Sequence, residues 1–165
     1  MLLYTGLRRG DAVQLGRQHI RDGVISIKTE KTGTPVWLRL LPVLQATLAA
    51  GPCGDLAFIN GDAGRPLTAE SFSNAFRKAC RAAGVRKSAH GLRKIAAARA
   101  ANAGATVAEL ESMFGWTGGN MASHYTRSAD RRRLGLSASH KLENEEGRSI
   151  PSPRSWVRGA EPKAK

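Results

Sequence analysis

The sequence predicts a mixed fold that is mainly α-helical and contains one small antiparallel β-hairpin or sheet. Two observations predict it. In the second half of the chain, apolar residues recur at steps of three and four, which is typical of helices with one buried face. In the first half, residues 23–28 and 35–40 are rich in β-branched and apolar side chains and flank a Lys31-Thr32-Gly33 turn. These two segments are therefore expected to pair as a hairpin.

The first residues of the chain resemble the interior of a domain. Leu2, Leu3 and Leu7 are typical packing residues, with no segment before them to pack against. We therefore expect that the N-terminus is truncated. A short helix is expected within residues 9–20, beginning near Asp11, because an acidic side chain is favourable at a helix N-terminus.

A further helix and a loop are expected after the hairpin. Residues 42–50 predict a helix with proline in its first turn, and Gly51 ends it. Residues 56–59 form a short apolar strand at most. Residues 61–66 have the glycine, aspartate and proline content of a loop.

Four helices are predicted for the second half of the chain. Residues 68–84 begin at a threonine suited to the N-cap and end at a glycine. Residues 90–103 are rich in alanine, the best helix former, and a glycine follows them. Residues 106–115 open with a capping box and close with another glycine, and a last helix over residues 121–134 carries Tyr125.

The chain length predicts one globular domain. With 165 residues, the chain can bury one core but is too short for two ordinary domains and a tail. We place the domain at residues 1–136. Residues 137–165 contain an acidic run and several prolines, which indicate a polar, mobile tail.

The charge of the chain indicates a polyanionic partner. Lys and Arg number 26 against 13 Asp and Glu, a formal charge of +13. Such an excess favours nucleic acid, with an anionic membrane second, over a small neutral substrate. The membrane alternative is weak, because no segment approaches the roughly 18 apolar residues that a spanning helix needs.

Cysteine usage and the N-terminal residues indicate an intracellular protein. Residues 1–4 are too short for a signal peptide, so we expect a cytoplasmic, nucleoid-associated location. Cys53 and Cys80 have no spacing that suits a zinc site or a disulfide framework. Two buried free thiols are expected.

Two arginine-bearing segments precede a tyrosine, and together these residue types suit displacement at a phosphodiester. Arg8 and Arg93 could hold the nonbridging oxygens, since a guanidinium stays charged and binds phosphate in bidentate fashion. Tyr125 could be the nucleophile, storing the bond energy in a phosphotyrosyl intermediate without ATP or metal. Histidine or lysine could move the proton. Each residue also has an ordinary alternative: a surface arginine, or a helical tyrosine that packs.

These residues belong to a longer pattern of motifs. In order they are Thr5-Gly6-Leu7-Arg8, Lys31-Thr32-Gly33, His90-Gly91-Leu92-Arg93-Lys94 and Gly115-Trp116 nine residues before Tyr125. Over roughly residues 2–134, the pattern resembles the catalytic domain of the tyrosine recombinase, or phage integrase, family in order and spacing. The resemblance implies that catalytic-domain fold, and no cofactor or metal.

The resemblance also implies roles for single residues. Arg8 and Arg93 correspond to the phosphate clamp, Tyr125 to a nucleophile that forms a 3′-phosphotyrosyl bond, and Asp11 to an acidic residue that orients the site. The lysine is less clear from the sequence, because the hairpin contains both Lys28 and Lys31. We favour Lys31, at the turn, as the group that protonates the departing 5′ oxygen.

Two further residues complete the implied site. His90 corresponds to the histidine that assists proton transfer. Trp116 stands where the family carries histidine or tryptophan, and its indole N–H can donate to a phosphate oxygen but cannot titrate. Without the family pattern, His90 is simply a residue near a helix N-terminus and Trp116 a core aromatic.

Other basic residues are expected to hold the DNA backbone. They are Arg9, Arg86, Lys87, Lys94 and Arg127. Contacts of this kind weaken steeply with salt, and the alternative is a solvated basic face. The expected partner is double-stranded DNA, with a homotetramer on DNA implied by the resemblance, and neither a membrane nor a small-molecule substrate.

Three functions are compatible with the sequence. The leading hypothesis is a site-specific recombinase or integrase. The second is an integrase remnant that binds DNA without strand transfer, motivated by the abrupt start of the chain. The third is relaxation of supercoils through the same tyrosine chemistry.

Overall fold

The computed structural model describes residues 1–62, 64–129 and 131–142. Its helices are α1 (Leu2–Thr5), α2 (Arg9–Gln14), α3 (Pro42–Ala50), α4 (Ala69–Ala82), α5 (Ala89–Asn102), α6 (Val107–Phe114), α7 (Asn120–Arg127) and α8 (Arg131–Ser139). Its strands are β1 (Ile20–Arg21), β2 (Val24–Lys28) and β3 (Pro35–Arg39). The chain divides into two units, Met1–Ala129 and Asp130–Lys165, and all elements before α8 belong to the first. The predicted mainly helical fold with a small antiparallel sheet is confirmed.

The sheet contains the predicted hairpin and one further strand. β2 and β3 pair antiparallel from Val24 opposite Arg39 to Lys28 opposite Pro35. Alternate residues of both strands are buried, namely Ile25, Ile27, Val36 and Leu38. β1 pairs with the other edge of β2, which gives a three-stranded sheet in the order β1-β2-β3. One face of the sheet therefore covers the core, and the other is open.

The short helix predicted within residues 9–20 forms, and it covers only the first part of that segment. α2 ends at Gln14, and Leu15 and Gly16 are extended. A loop packs against them: the Phe58 N–H donates to the Leu15 carbonyl over 2.9 Å, and a Cβ on Gly16 would collide with the Leu56 carbonyl. This loop is the segment proposed as a short strand, and no strand forms there.

Two helices of the second half, α4 and α6, begin at the predicted caps. The Thr68 hydroxyl accepts from the Ser71 N–H at the start of α4. Thr106 and Glu109 form the capping box of α6, and Gly115 ends that helix with φ +58°.

The single helix predicted over residues 121–134 is wrong, because α7 ends at Arg127. The Ser128 hydroxyl donates to the Tyr125 carbonyl over 3.0 Å, and this is the acceptor that the Ala129 N–H would use in a continuing α-helix. The Ala129 N–H instead donates to Thr126.

The C-terminal part of the chain is described as far as Leu142. Residues 137–139 complete α8, and residues 140–142 form one 3₁₀ turn. The rest of the predicted tail lies outside the described residues, and the division at residue 136 stays a prediction.

The core of the first unit lies beneath the sheet. Its buried apolar residues are Leu2, Leu7, Ala12, Leu15, Ile25, Ile27, Val36, Leu38, Leu44 and Phe58. Cys53 and Cys80 are free, but both are half-buried and not buried as predicted. The Cys53 thiol donates to the Leu48 carbonyl over 3.3 Å. Within the described residues, no helix is long and apolar enough to cross a membrane.

Candidate active site

Arg93 joins three parts of the chain. It lies on α5 and is 4% exposed. One terminal nitrogen donates to the Gly6 carbonyl after α1, and the other to the Phe114 carbonyl at the end of α6, each over 2.6 Å. The guanidinium carbon also lies 5.1 Å from the Phe114 ring centroid and 5.3 Å from that of Trp116. The position of this buried charge is therefore set by two carbonyls and two aromatic rings.

The segment that precedes Arg8 requires a glycine. Gly6 has φ +62°, and a Cβ there would collide with the Phe114 ring. Arg8 follows as the N-cap of α2 and is half-buried. Its Nη1 atom is buried and has no hydrogen-bond partner among the described residues. Arg8 thus holds an unused donor near Arg93, whose two terminal nitrogens each already donate to one carbonyl.

Asp11 ties α2 to the hairpin. It is 2% exposed, and its Oδ1 atom accepts from the Glu30 N–H over 2.8 Å. Its Oδ2 atom is buried without a partner in the described part of the chain. Because Glu30 precedes Lys31, this contact orients the turn that carries the lysine.

Threonines hold that turn against the loop between α6 and α7. The Thr29 hydroxyl lies 2.7 Å from that of Thr32 and accepts from the Thr34 N–H over 3.1 Å. Thr32 donates to the Gly115 carbonyl over 3.4 Å. A Cβ on Gly115 would lie 2.9 Å from the Thr29 methyl group, so the two segments are in close contact.

Trp116 carries an aromatic stack that includes Tyr125. Its ring centroid lies 4.7 Å from that of Phe114 and 5.6 Å from that of Tyr125, with nearly parallel planes in both pairs. His124 meets the Tyr125 ring edge-on at 5.4 Å. Trp116 therefore contacts both the Arg93 guanidinium and the tyrosine on α7.

Four of the six predicted catalytic residues line one cavity of about 810 Å³. They are Arg8, Lys31, His90 and Arg93, and Asp11 lines the cavity as well. Trp116 and Tyr125 are not among its lining residues, and neither is Lys28, whose side chain lies beside Gly33. Within the described residues, no cluster of His, Cys, Asp and Glu could hold a metal ion.

Burial and, to a lesser extent, nearby positive charges lower the pKa values of Arg93 and His90. Burial lowers the pKa of Arg93 to about 10, and the charge of Arg8 acts in the same direction, whereas Asp11 and an ionised Tyr125 raise it. Arg93 nevertheless stays charged at neutral pH. Loss of solvent contact lowers the pKa of His90, and the charges of Lys94, Arg93 and Arg8 lower it further. His90 is therefore mainly neutral at pH 7 and can accept a proton.

The predicted DNA contacts fall into two groups. Arg9 and Lys87 line the cavity, and Arg9 donates to the Ser73 hydroxyl over 2.9 Å. Arg86, Lys94 and Arg127 are exposed and are not among the lining residues.

Sequence reasoning missed several residues that build the site. Phe114 contacts Arg93 through both its ring and its carbonyl, and Thr29 is a polar side chain that is 2% exposed. Three threonines within the six residues 29–34 are a signal of side-chain bonding in a turn. Gly119 was also missed: its N–H donates to the Glu111 carboxylate over 2.6 Å and fixes the start of α7.

Comparison with known proteins identifies the family. The sequence model of the phage integrase family matches residues 1–132. No curated protein matches the chain. Among solved structures, a lambda integrase dimer bound to a COC′ core site is 23% identical, with a TM-score of 0.65 over 79% of this chain and 50% of that chain.

Two further solved structures have the same fold. XerA recombinase is 16% identical, with a TM-score of 0.64 over 85% of this chain and 54% of that chain. A lambda integrase tetramer bound to a Holliday junction is 22% identical, with a TM-score of 0.61 over 72% of this chain and 39% of that chain. The chain thus spans about half the length, or less, of these proteins. It has the fold of a tyrosine recombinase catalytic domain, as predicted, and it belongs to the phage integrase family.

Proposed function

We propose that this chain is the catalytic part of a site-specific DNA recombinase that cleaves and rejoins strands through a 3′-phosphotyrosyl bond on Tyr125. One observation carries the proposal: Arg8, Lys31, and the pair His90 and Arg93 of α5 come from three separate segments and meet in one cavity. Three of the four are cationic at neutral pH, so the cavity suits a phosphodiester. Membership of the phage integrase family supports DNA as the substrate.

Each of these residues has its own role in the proposed reaction. The phenolic oxygen of Tyr125 forms a bond to phosphorus, and the bond to the 5′ oxygen breaks. Arg93 and the unused donor of Arg8 hold the nonbridging oxygens. Neutral His90 takes the phenolic proton, and Lys31 gives a proton to the departing oxygen. Attack by a partner strand's 5′ hydroxyl reverses these steps and releases Tyr125.

The position of Tyr125 supports its role through Trp116. The tyrosine does not line the cavity, but Trp116 contacts both its ring and the Arg93 guanidinium. An ionised Tyr125 raises the pKa of Arg93, so the phenolic oxygen lies within electrostatic range of the clamp. The indole N–H of Trp116 is a further donor for a phosphate oxygen.

The proposed partners follow from the chemistry. The substrate is double-stranded DNA, held partly by Arg9, Arg86, Lys87, Lys94 and Arg127. Strand exchange needs several protomers, and we propose a homotetramer, in analogy to the lambda integrase tetramer bound to a Holliday junction. Action on such DNA is consistent with the predicted cytoplasmic, nucleoid-associated location.

The test is a covalent adduct. The chain is incubated with a labelled library of nicked duplexes of random sequence, because a nick lets the short strand diffuse away and traps the intermediate. We expect an adduct that survives denaturing electrophoresis and is absent in Tyr125→Phe. Tyr4→Phe is the matched control, since the chain has two tyrosines, and it should form the adduct normally.

The alternatives give different outcomes. If the wild-type chain binds duplex DNA but forms no adduct, it is a DNA-binding module and the proposed chemistry is wrong. If the adduct forms but supercoiled circles are relaxed without strand exchange, the chain has the topoisomerase-like activity.

A further inference from the structure

The open face of the three-stranded sheet presents a second surface with a distinctive composition. We call it the outward sheet face. Its residues are Arg21 of β1, Val24, Ser26 and Lys28 of β2, and Pro35, Trp37 and Arg39 of β3, all of them exposed. The register places Arg21, Val24 and Arg39 in one row, Ser26 and Trp37 in the next, and Lys28 and Pro35 in the third.

Trp37 stands at the centre of this face and is 63% exposed. Its cross-strand neighbour is Ser26, whose small side chain leaves the indole uncovered. Among the residues that the structure describes, no other ring or guanidinium stacks on Trp37. A tryptophan is a large apolar surface to leave in water, so its position here indicates a ligand for its ring.

Basic side chains lie on both sides of Trp37 along the strands. Arg39 lies two residues further along β3, about 7 Å away, and Arg21 lies in the same row as Arg39. Lys28 lies in the row on the other side. Two acidic residues, Asp22 and Glu30, lie in the turns at the ends of β2, and none lies within the three strands. The face therefore combines one free aromatic plane with three cations.

We propose that the outward sheet face binds single-stranded DNA, with one base stacked on Trp37 and the adjacent phosphates held by Arg39 and Lys28. A free aromatic plane can stack on the face of a base, and cations along a groove or sheet hold the backbone. Paired bases in a duplex have their faces covered by neighbouring pairs and present only their edges. The ligand must therefore be unpaired.

The location of this surface connects it to the cavity. The row that contains Lys28 and Pro35 is the last of the hairpin, and the turn beyond it carries Lys31. A strand that is separated from its complement near the cavity can thus continue along the sheet. The binding itself needs no covalent chemistry, so the inference does not depend on the proposed strand transfer.

Binding of labelled oligonucleotides tests the proposal directly. Fluorescence anisotropy of a single-stranded 12-mer of thymidylate is compared with that of a 12-base-pair duplex, using the full chain. We expect Trp37→Ala to weaken single-strand binding about 5- to 150-fold, the range for loss of one base–aromatic stack, and to change duplex binding less than twofold. Trp37→Phe keeps a ring and should retain most of the affinity. Arg39→Gln should lower the salt slope of single-strand binding by about 0.7.

A cross-linking experiment locates the contact independently. A thymidylate oligomer with one 5-iodouracil base is irradiated with the chain, and the adduct is mapped by mass spectrometry to the peptide that contains Trp37. An unchanged single-strand affinity in Trp37→Ala, with normal far-ultraviolet circular dichroism, would refute the proposal. An equal loss on the duplex would refute it too. If sedimentation instead shows a dimer that Trp37→Ala dissociates, with oligonucleotide affinity unchanged, the face is an interface between copies of this chain.

Discussion

Arg8 and Arg93 line the same cavity, but the protein holds them in opposite ways. Arg93 is 4% exposed, and both of its terminal nitrogens donate to carbonyls. Arg8 is half-buried, and its Nη1 atom has no partner within the described part of the chain. We call the surroundings of Arg93, with Gly6, Phe114 and Trp116, the anchored half of the site.

The other side of the cavity is built differently, and we call it the open half. It comprises Arg8, Lys31 and His90, and the last two are exposed. One cavity thus combines a charge whose position is fixed by hydrogen bonds with side chains whose positions are not fixed in this way. A charge whose position is set before a ligand arrives requires no reorganisation, whereas groups that move protons must remain accessible to a substrate.

The largest expected effect is on the free energy of unfolding, and it differs between variants of Arg93 and of Arg8. Arg93→Ala leaves two buried carbonyls without a donor and removes the contacts with Phe114 and Trp116. We expect the free energy of unfolding to fall by about 2–4 kcal/mol. Arg8→Ala should change it by less than about 1 kcal/mol, because no described hydrogen bond of Nη1 is lost and one positive charge near Arg93 is removed.

Urea unfolding followed by circular dichroism measures both variants. Arg93→Met is the useful companion, since it restores apolar volume but not the donors, and it should remain less stable than the wild type. Equal losses for Arg8→Ala and Arg93→Ala would show that the two halves of the site are not held differently.

The next comparison is between substitutions of two glycines, and the expected change in stability is smaller. Gly115 and Gly33 have similar backbone conformations, with φ +58° and +64°. A Cβ on Gly115 would lie 2.9 Å from the Thr29 methyl group and 3.2 Å from a methyl group of Val36, whereas one on Gly33 would only touch the flexible end of Lys28 at 3.6 Å. Gly33→Ala should cost about 1 kcal/mol from its positive φ alone.

Gly115→Ala has the same backbone cost and the crowding in addition. We expect the free energy of unfolding of Gly115→Ala to be about 1 kcal/mol lower than that of Gly33→Ala. The two variants are compared by urea unfolding under one set of conditions. If their losses are equal, the turn is not packed tightly against the loop between α6 and α7.

These contacts also mark the limit of what the sequence could predict. The hairpin was predictable because alternation is a local pattern, and it buries Ile25, Ile27, Val36 and Leu38. The residues proposed for catalysis were predictable because each stands in a short motif. The bonds that hold the site together are not local: Arg93 and Gly6 are 87 residues apart, and Thr32 and Gly115 are 83 apart.

The other differences have local and tertiary causes. The strand β1 has two residues, too few for a pattern, and it exists because β2 offers an edge. The helix that carries Tyr125 ends where the Ser128 hydroxyl donates to the Tyr125 carbonyl, a side-chain bond that the helical spacing of apolar residues does not predict. Leu15 and Gly16 are extended after α2, and a distant loop packs on Gly16. The strand β1 and the conformation at Gly16 therefore depend on three-dimensional neighbours, whereas the bond at Ser128 is local.

The smallest expected effect concerns the open half and its pH dependence. Loss of solvent contact, then Lys94, Arg93 and Arg8, lowers the pKa of His90 below its ordinary value of 6.5. The folded chain therefore binds a proton at His90 less readily than the unfolded chain does. The stability from this residue is complete above pH 6.5 and decreases as the pH falls from 6.5 through the folded-state value. The decrease should be small, because His90 is exposed.

Titration of the histidine ring by nuclear magnetic resonance measures this pKa directly. We expect a midpoint below 6.5 in the wild type and a shift towards 6.5 in Lys94→Gln, because a nearby positive charge disfavours the imidazolium form. Lys87→Gln is the matched control: it removes a charge that lines the cavity but does not affect the pKa of His90, and the midpoint should not move. If both variants shift His90 equally, the cavity acts through its total charge, and the open half has no specific arrangement around the histidine.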